Sequence, residues 1–166
     1  MKPDLSEHDL LVVLLTLHNA IQRRGDTFFQ DYGLTDAQFN ILNLIGLAAG
    51  PLDQLVLTER LLVGKSSVSI VLNRMVKAGL IQRGEHARDR RRVVLSLTRK
   101  GRELWRKIAP RYDEGVREVF SALPRKRREA FVDDLEVLYA ALKRSAGDST
   151  ISTLREILRQ HGELGC

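Results

Sequence analysis

Over the first thirty or so residues, apolar side chains recur every three to four positions: Leu10, Val13, Leu17, Ile21, Phe28 and Phe29. That period puts them on one side of an α-helix running from about Glu7 to Tyr32. Ser6 is a candidate N-cap and Gly33 a stop, because glycine accepts the left-handed conformation that commonly follows a last helical turn. The pattern restarts at TDAQ, whose spacing predicts a reciprocal capping box between Thr35 and Gln38. Phe39, Leu42, Ile45 and Leu47 carry this second helix to a break at Gly50 and Pro51. Asp53 opens a third, short helix with Leu57, Leu61 and Leu62 that stops near Gly64; a fourth starts at Ser66, runs to about Ala78 and ends at Gly79.

Two short helices joined by a glycine-containing turn have the outline of a helix-turn-helix. The period then changes. LIQRGE and RRVVLSLT are β-prone runs flanking HARD, which predicts a hairpin with a basic loop, and a helix-turn-helix followed by such a hairpin is a winged helix. Thr98 caps the next helix, where Leu104, Ile108, Tyr112, Val116 and Phe120 return at four-residue spacing as far as about Leu123, with a kink expected at Pro110. Pro124 breaks the chain and suits the first turn of a further helix, about Arg125 to Arg144, with Phe131, Leu135, Leu138 and Leu142 facing inward. After the linker AGDST, the segment from Ile151 to about His161 is amphipathic, with Leu154, Ile157 and Leu158 and capping-box spacing in TLRE. The fold class is therefore mostly α, a winged helix-turn-helix with a two-stranded β wing and further helices on both sides.

Composition agrees with this class: 43% of residues are apolar and 29% charged, and aromatic residues are few. The longest apolar run, Leu10 to Leu15, is far below the ~20 residues of a membrane span, and the acidic start lacks a basic signal front. The expectation is a cytoplasmic protein with no membrane partner. One cysteine, Cys166, excludes an intrachain disulfide and a Cys-based metal cage. Charge changes the picture more. Residues 60–107 hold 14 Lys/Arg against 3 Asp/Glu, a net of +11, which leaves −5 for the rest of a chain whose total is +6. A basic region on a mildly acidic body points to a polyanion, with nucleic acid first.

The basic region divides in two. In KSSVSIVLNRMVK, helical spacing turns Val68, Val71, Leu72 and Met75 inward and leaves Ser66, Ser67, Ser69, Ile70, Asn73, Arg74 and Lys77 outward, after Lys65. Small serines let a helix N-terminus approach phosphates, while Asn73 or Arg74 can bond base edges. An ordinary amphipathic helix with a serine cap has the same pattern. In the hairpin, Arg88, Arg90, Arg91 and Arg92 outnumber Asp89 and Glu85, so several charges need an external anion or water. At a hairpin tip an arginine can enter a narrow minor groove, with Asp89 orienting the tip.

KSSVSIVLNRMVKAGLIQR followed by DRRRVVLSLTRKG resembles the MarR family of bacterial winged-helix transcription regulators over about residues 8–145, most specifically through Asp89, Arg91, Leu97, Thr98 and Gly101 in register. The resemblance implies a two-fold homodimer whose first and last two helices interlock, with recognition helices in successive major grooves and wings on flanking minor grooves. It puts Ser66, Ser67, Ser69 and Arg74 on recognition-helix contacts, Arg90 and Arg91 at the wing tip, and Asp89 on the wing acid. Ile70 departs from the family's common polar or basic residue. The resemblance also implies a cleft for a small effector, aromatic or phenolic, with His18, Gln22, Phe39, Trp105 and Tyr112 as candidate lining residues. Its domain division is a dimerisation helix in 1–34, a DNA-binding lobe in 35–100, dimerisation helices in 101–146 and an additional tail in 147–166.

Catalysis and metal binding find no support in the residues. His8, His18, His86 and His161 are scattered, and there is no phosphate loop, no GxSxG and no nucleophile with a partnered base. The reading is a binder with no cofactor: a DNA-binding regulator, expected to be a repressor acting on a pseudo-palindromic operator as a homodimer and modulated by an effector. The alternative is a winged-helix adaptor whose basic face holds an acidic protein. PRKRRE places four basic residues at a helix N-terminus, against the macrodipole, and so calls for a compensating anion.

Overall fold

The computed structural model describes residues 4–61, 65–86, 89–147 and 153–162. In chain order the elements are α1 (Glu7–Gln30), α2 (Asp36–Leu47), β1 (Leu52–Asp53), α3 (Gln54–Arg60), α4 (Lys65–Lys77), β2 (Ile81–His86), β3 (Asp89–Leu97), α5 (Arg99–Phe120), α6 (Arg125–Ser145) and α7 (Leu154–Gly162). The expected helix stop at Gly64, the loop residue Arg88, the linker residues 148–150 and Cys166 lie outside the described residues.

The chain forms two compact units, residues 1–40 and 41–166. The first begins with a capping box: the amide of Asp9 donates to Ser6 Oγ, and the amide of Ser6 donates back to the Asp9 carboxylate. Three hydrogen bonds and one left-handed glycine end α1 and start α2. The amide of Leu34 bonds the Phe29 carbonyl, Gly33 stands at φ +66°, and Thr35 and Gln38 make the reciprocal box expected from TDAQ. Phe29 and Phe39 stack with centroids 4.6 Å apart and are both buried with Leu34. The remaining apolar residues of α1, from Leu10 to Ile21, are exposed in the single chain.

The second unit closes a core of its own. Ile41, Leu42 and Ile45 of α2, Leu57 of α3, Val68, Leu72 and Met75 of α4, Ile81 of β2, Leu95 and Leu97 of β3 and Ile108 of α5 are buried. Burying side chains of this kind stabilises a fold by roughly 1.5–3 kcal/mol each before chain entropy is counted. The sheet has three antiparallel strands in the order β1-β3-β2, where the hairpin alone had been expected. The added strand pairs only Leu52 with Leu95 and Asp53 with Val94, and two residues are too few to leave an alternating pattern. Gly101 of α5 lies so close to the end of α4 that a Cβ there would be 1.9 Å from the carbonyl oxygen of Leu80.

Other boundaries differ in instructive ways. α3 ends at Arg60, with Leu61 extended, and α5 ends at Phe120 rather than near Leu123. Pro124 is the residue before α6, at φ −56° and ψ 139°, rather than in its first turn. The stripe of α5 is buried only in its first half: Ile108 is 0% exposed, whereas Val116 and Phe120 are 37% and 49% exposed. Phe131, Leu138 and Leu142 of α6, expected to face inward, are likewise exposed, and α6 buries no residue in the single chain. The tail forms α7 with the predicted Thr153–Glu156 capping box and packs on α6 and α3, where Arg155 pairs with Asp133.

Candidate nucleic-acid interface

α4 separates its faces as the 3.6-residue period requires. Val68, Leu72 and Met75 are buried, while Ser69, Ile70, Asn73, Arg74 and Lys77 are exposed. Lys65, Ser66 and Ser67 form its first turn, so their backbone N–H groups point out of the helix N-terminus. The C-terminal end is fixed differently. Thr98 Oγ1 donates to the carbonyls of Gly79 (2.6 Å) and Leu80 (3.2 Å), Lys100 Nζ donates to that of Ala78 (2.9 Å), and the amide of Thr98 donates to Leu80 (3.1 Å). Thr98 also N-caps α5 by accepting from the Gly101 amide at 3.0 Å. One residue thus joins the end of α4 to the start of α5. A lysine at the carboxyl end of α4 also meets its helix dipole with the favourable sign.

The wing is the β2–β3 hairpin, in register from Ile81 with Leu97 to Glu85 with Val93, and irregular between Glu85 and His86. Asp89 Oδ1 accepts from the backbone amide of Arg91 at 3.0 Å, a local turn that holds the chain where β3 begins. Arg91 is exposed beside it, and Arg90 precedes it on the strand. Arg92 behaves differently from its neighbours, because its Nε donates to Asp53 Oδ2 at 2.8 Å. Asp53 Oδ1 in turn accepts from the amides of Leu55 (2.8 Å) and Val56 (3.4 Å) and so N-caps α3. Burial pushes the Asp53 carboxyl upward, but the hydrogen bonds from Arg92, Leu55 and Val56, with the charge of Arg92, outweigh it and hold it below the ordinary aspartate value. Sequence reasoning passed over this pair; the capping role of Asp53 was legible, but a partner 39 residues away was not.

The residues suggested for an effector cleft are divided between the two compact units and differ in their surroundings. His18 and Gln22 are exposed on α1, and Phe39 is 0% exposed under Phe29, a packing position rather than a lining one. Trp105 does line a cavity of about 600 Å³, together with Asn43 and Leu47 of α2 and Arg106, Pro110, Asp113 and Arg117 of α5. Tyr112 is half-buried but outside that lining. Trp105 Nε1–H donates to Asn43 Oδ1 at 3.0 Å, and the absence of a side chain at Gly46 lets the indole lie on α2: a Cβ there would be 2.4 Å from the ring. Pro110 leaves one helical carbonyl of α5 without its usual donor beside the cavity. The lining of the cavity is mainly apolar and includes the Trp105 indole, with Asn43, Arg106, Asp113 and Arg117 among its residues.

PRKRRE finds part of its compensation within the chain. Arg128 donates to the carbonyls of Leu123 (3.1 Å) and Phe120 (3.3 Å), so it serves the C-terminal end of α5 rather than opposing α6. Among the described residues there is no group of three or more His, Cys, Asp or Glu able to hold a metal ion, and no helix is long and apolar enough to cross a membrane.

Residues 32–92 match the family model described as MarR family. The HTH-type transcriptional regulator FarR of Neisseria gonorrhoeae is 29% identical over 126 residues, covering 75% of this chain and 86% of that protein. Among solved structures, NadR in complex with 4-hydroxyphenylacetate is 28% identical with a TM-score of 0.64, covering 82% of this chain and 96% of its own. A MepR–DNA complex from S. aureus shares the fold at a TM-score of 0.71 and 19% identity, covering 83% and 99%.

Proposed function

We propose that this chain, similar to MarR-family winged-helix transcription regulators, binds double-stranded DNA as a homodimer and represses transcription by occupying a pseudo-palindromic operator. The observation that carries this reading is the outer face of α4, where Ser69, Ile70, Asn73, Arg74 and Lys77 are exposed opposite a fully buried stripe. In a major groove Arg74 and Asn73 bond base edges and Ile70 meets thymine methyls, while the first turn, Lys65 to Ser67, takes a phosphate on its free N–H groups. Arg88, Arg90 and Arg91 enter the flanking minor groove, with Asp89 orienting them. The same fold occurs on DNA in MepR.

In this reading the lobe of residues 35–100 reads DNA, 1–34 and 101–146 form the dimer, and the tail of 147–166 is an addition. Support for the dimer comes from the apolar residues that a single chain leaves exposed on α1, on the second half of α5 and on α6. The effector is a small aromatic or phenolic compound, for which the cavity at Trp105 supplies a ring face; NadR is a relative with 4-hydroxyphenylacetate bound.

The test is equilibrium binding of the full chain to duplexes selected from a random pool, at several salt concentrations, with sedimentation of the complex. A dimer on DNA is expected. Arg91→Ala should weaken binding and lower the slope of log K against log salt by about 0.9, one phosphate's worth of counterion release. Arg74→Ala should relax sequence preference as well, at about 1–3 kcal/mol for a lost base contact. Binding indifferent to both substitutions would remove the interface assigned to α4 and the wing.

A further inference from the structure

Asp53 stands where three elements meet. It ends β1 opposite Val94, caps α3 through Oδ1 and holds Arg92 of the wing through Oδ2. Beyond the pairing of Asp53 with Val94, β1 gives β3 no further partner, so outward from Val93 the wing strand pairs, among the described residues, with β2. Arg92 lies two residues past that last pairing and reaches back across it, extending the attachment of β3 by about 6.6 Å of strand. The Asp53 side chain is 11% exposed and that of Arg92 47%, so the carboxylate belongs to the body of the lobe and the guanidinium to its surface.

We propose that the Asp53–Arg92 pair is a positioning device that fixes the pitch of the wing against α3. It thereby decides whether Arg90 and Arg91 reach the groove flanking the one occupied by α4. Arg92 is then a positioning residue, unlike its neighbours on the same strand. The inference rests on the DNA-binding reading above and deepens it. A hairpin joined to the lobe only at its base pivots about that base, and an ion pair placed beyond the base opposes the pivot.

The sign of one substitution separates positioning from plain charge. Removing a negative charge beside a polyanion strengthens attraction, so Coulomb's law alone has Asp53→Asn bind DNA more tightly. Positioning requires the opposite. Asparagine caps a helix as well as aspartate does, so Asp53→Asn keeps α3 while removing the charge that holds Arg92.

The experiment uses the full chain on a duplex that the wild type selects from a random pool, with Asp53→Asn, Arg92→Gln and the double variant compared by equilibrium binding and hydroxyl-radical footprinting. Each single variant is expected to weaken binding roughly fivefold, and the double variant no more than either, as residues acting as one unit do. Protection should fade on the flanks of the footprint and persist at its centre; a general loss of lobe stability would lower both together. Tighter binding by Asp53→Asn, additive losses, or centre and flanks fading in step would each overturn the proposal. A wild type that selects no duplex overturns the DNA reading itself, and the inference with it.

Discussion

Gly101→Ala adds one methyl group at the point where α5 touches the end of α4. The new Cβ would sit 1.9 Å from the Leu80 carbonyl oxygen, 2.9 Å from its carbon and 3.3 Å from its Cα. A carbon against a carbonyl oxygen needs about 3.3 Å, so α5 has to retreat by more than an ångström. The retreat pulls on the bonds from Thr98 Oγ1 to Gly79, from Lys100 Nζ to Ala78 and from the Thr98 amide to Leu80. Each such bond contributes a net of about 1 kcal/mol, and overpacking a tight site costs about 1–3 kcal/mol. Against this, alanine is the better helix former by at most about 1 kcal/mol, and by less in a first turn.

The clash therefore wins, with a net loss of about 2–4 kcal/mol when these terms are combined. Urea denaturation of the full chain measures it, with Thr98→Val alongside, which removes the cap and the two carbonyl bonds but adds no atom to the contact. That companion should cost about 1–2 kcal/mol, the scale of a lost cap. If Gly101→Ala proves as stable as the wild type, or less damaging than Thr98→Val, the close approach of α5 to Leu80 is not a constraint on this fold.

Two further outcomes follow from charge. Burial, and then the charge of Asp26, raise the Asp36 carboxyl above its usual range, with the Asn40 amide opposing. A folded-state pKa above the unfolded one means that the ionised form is disfavoured by folding, so the penalty appears as pH rises through the folded value and is absent below the unfolded value of about 3.9. Asp36→Asn should thus be more stable than the wild type at pH 7, with the difference vanishing in acid; thermal melts across pH check it, and a variant less stable at neutral pH would contradict it. The Arg155–Asp133 pair that ties α7 to α6 is open to solvent on both sides, so salt screens it. Arg155→Ala should leave the urea midpoint unchanged and speed amide exchange in α7, as should added salt in the wild type; unchanged exchange would show that apolar packing alone holds the tail.

The helices and the hairpin were legible because each has a local signal: period, cap and break residues at TDAQ, at Asp53, at Thr98 and at TLRE. The inner and outer faces of α4 were legible for the same reason, since a strict 3.6-residue period leaves one solution. β1 was not legible, because two residues carry no period and their pairing with Leu95 and Val94 is set by tertiary contact. Nor was the Asp53–Arg92 pair, which depends on that added strand. The inward direction read for α6 assumed that an apolar stripe, like the one on α5, is buried by its own chain. Val116, Phe120, Phe131 and Leu142 are exposed instead, and an apolar stripe has the same period whether its own chain or a second one covers it.

That division along α5 bears on how a dimer would read DNA. The helix is continuous for 22 residues, about 33 Å at 1.5 Å per residue. Its first half is bonded to the end of α4 through Thr98, Lys100 and the contact at Gly101, and its second half carries the exposed Val116, Val119 and Phe120. Whatever covers the second half is therefore linked to α4 through one continuous helix. A tilt of about 5° over that length moves the far end by about 3 Å, close to the roughly 3.4 Å rise of one base pair. The cavity at Trp105 opens on the same helix between the two ends, so in the proposed dimer a ligand there would act on the element that links the dimer contact to α4. On the proposed dimeric reading, a change in dimer packing or cavity occupancy would need only this small tilt to shift α4 by about one base step.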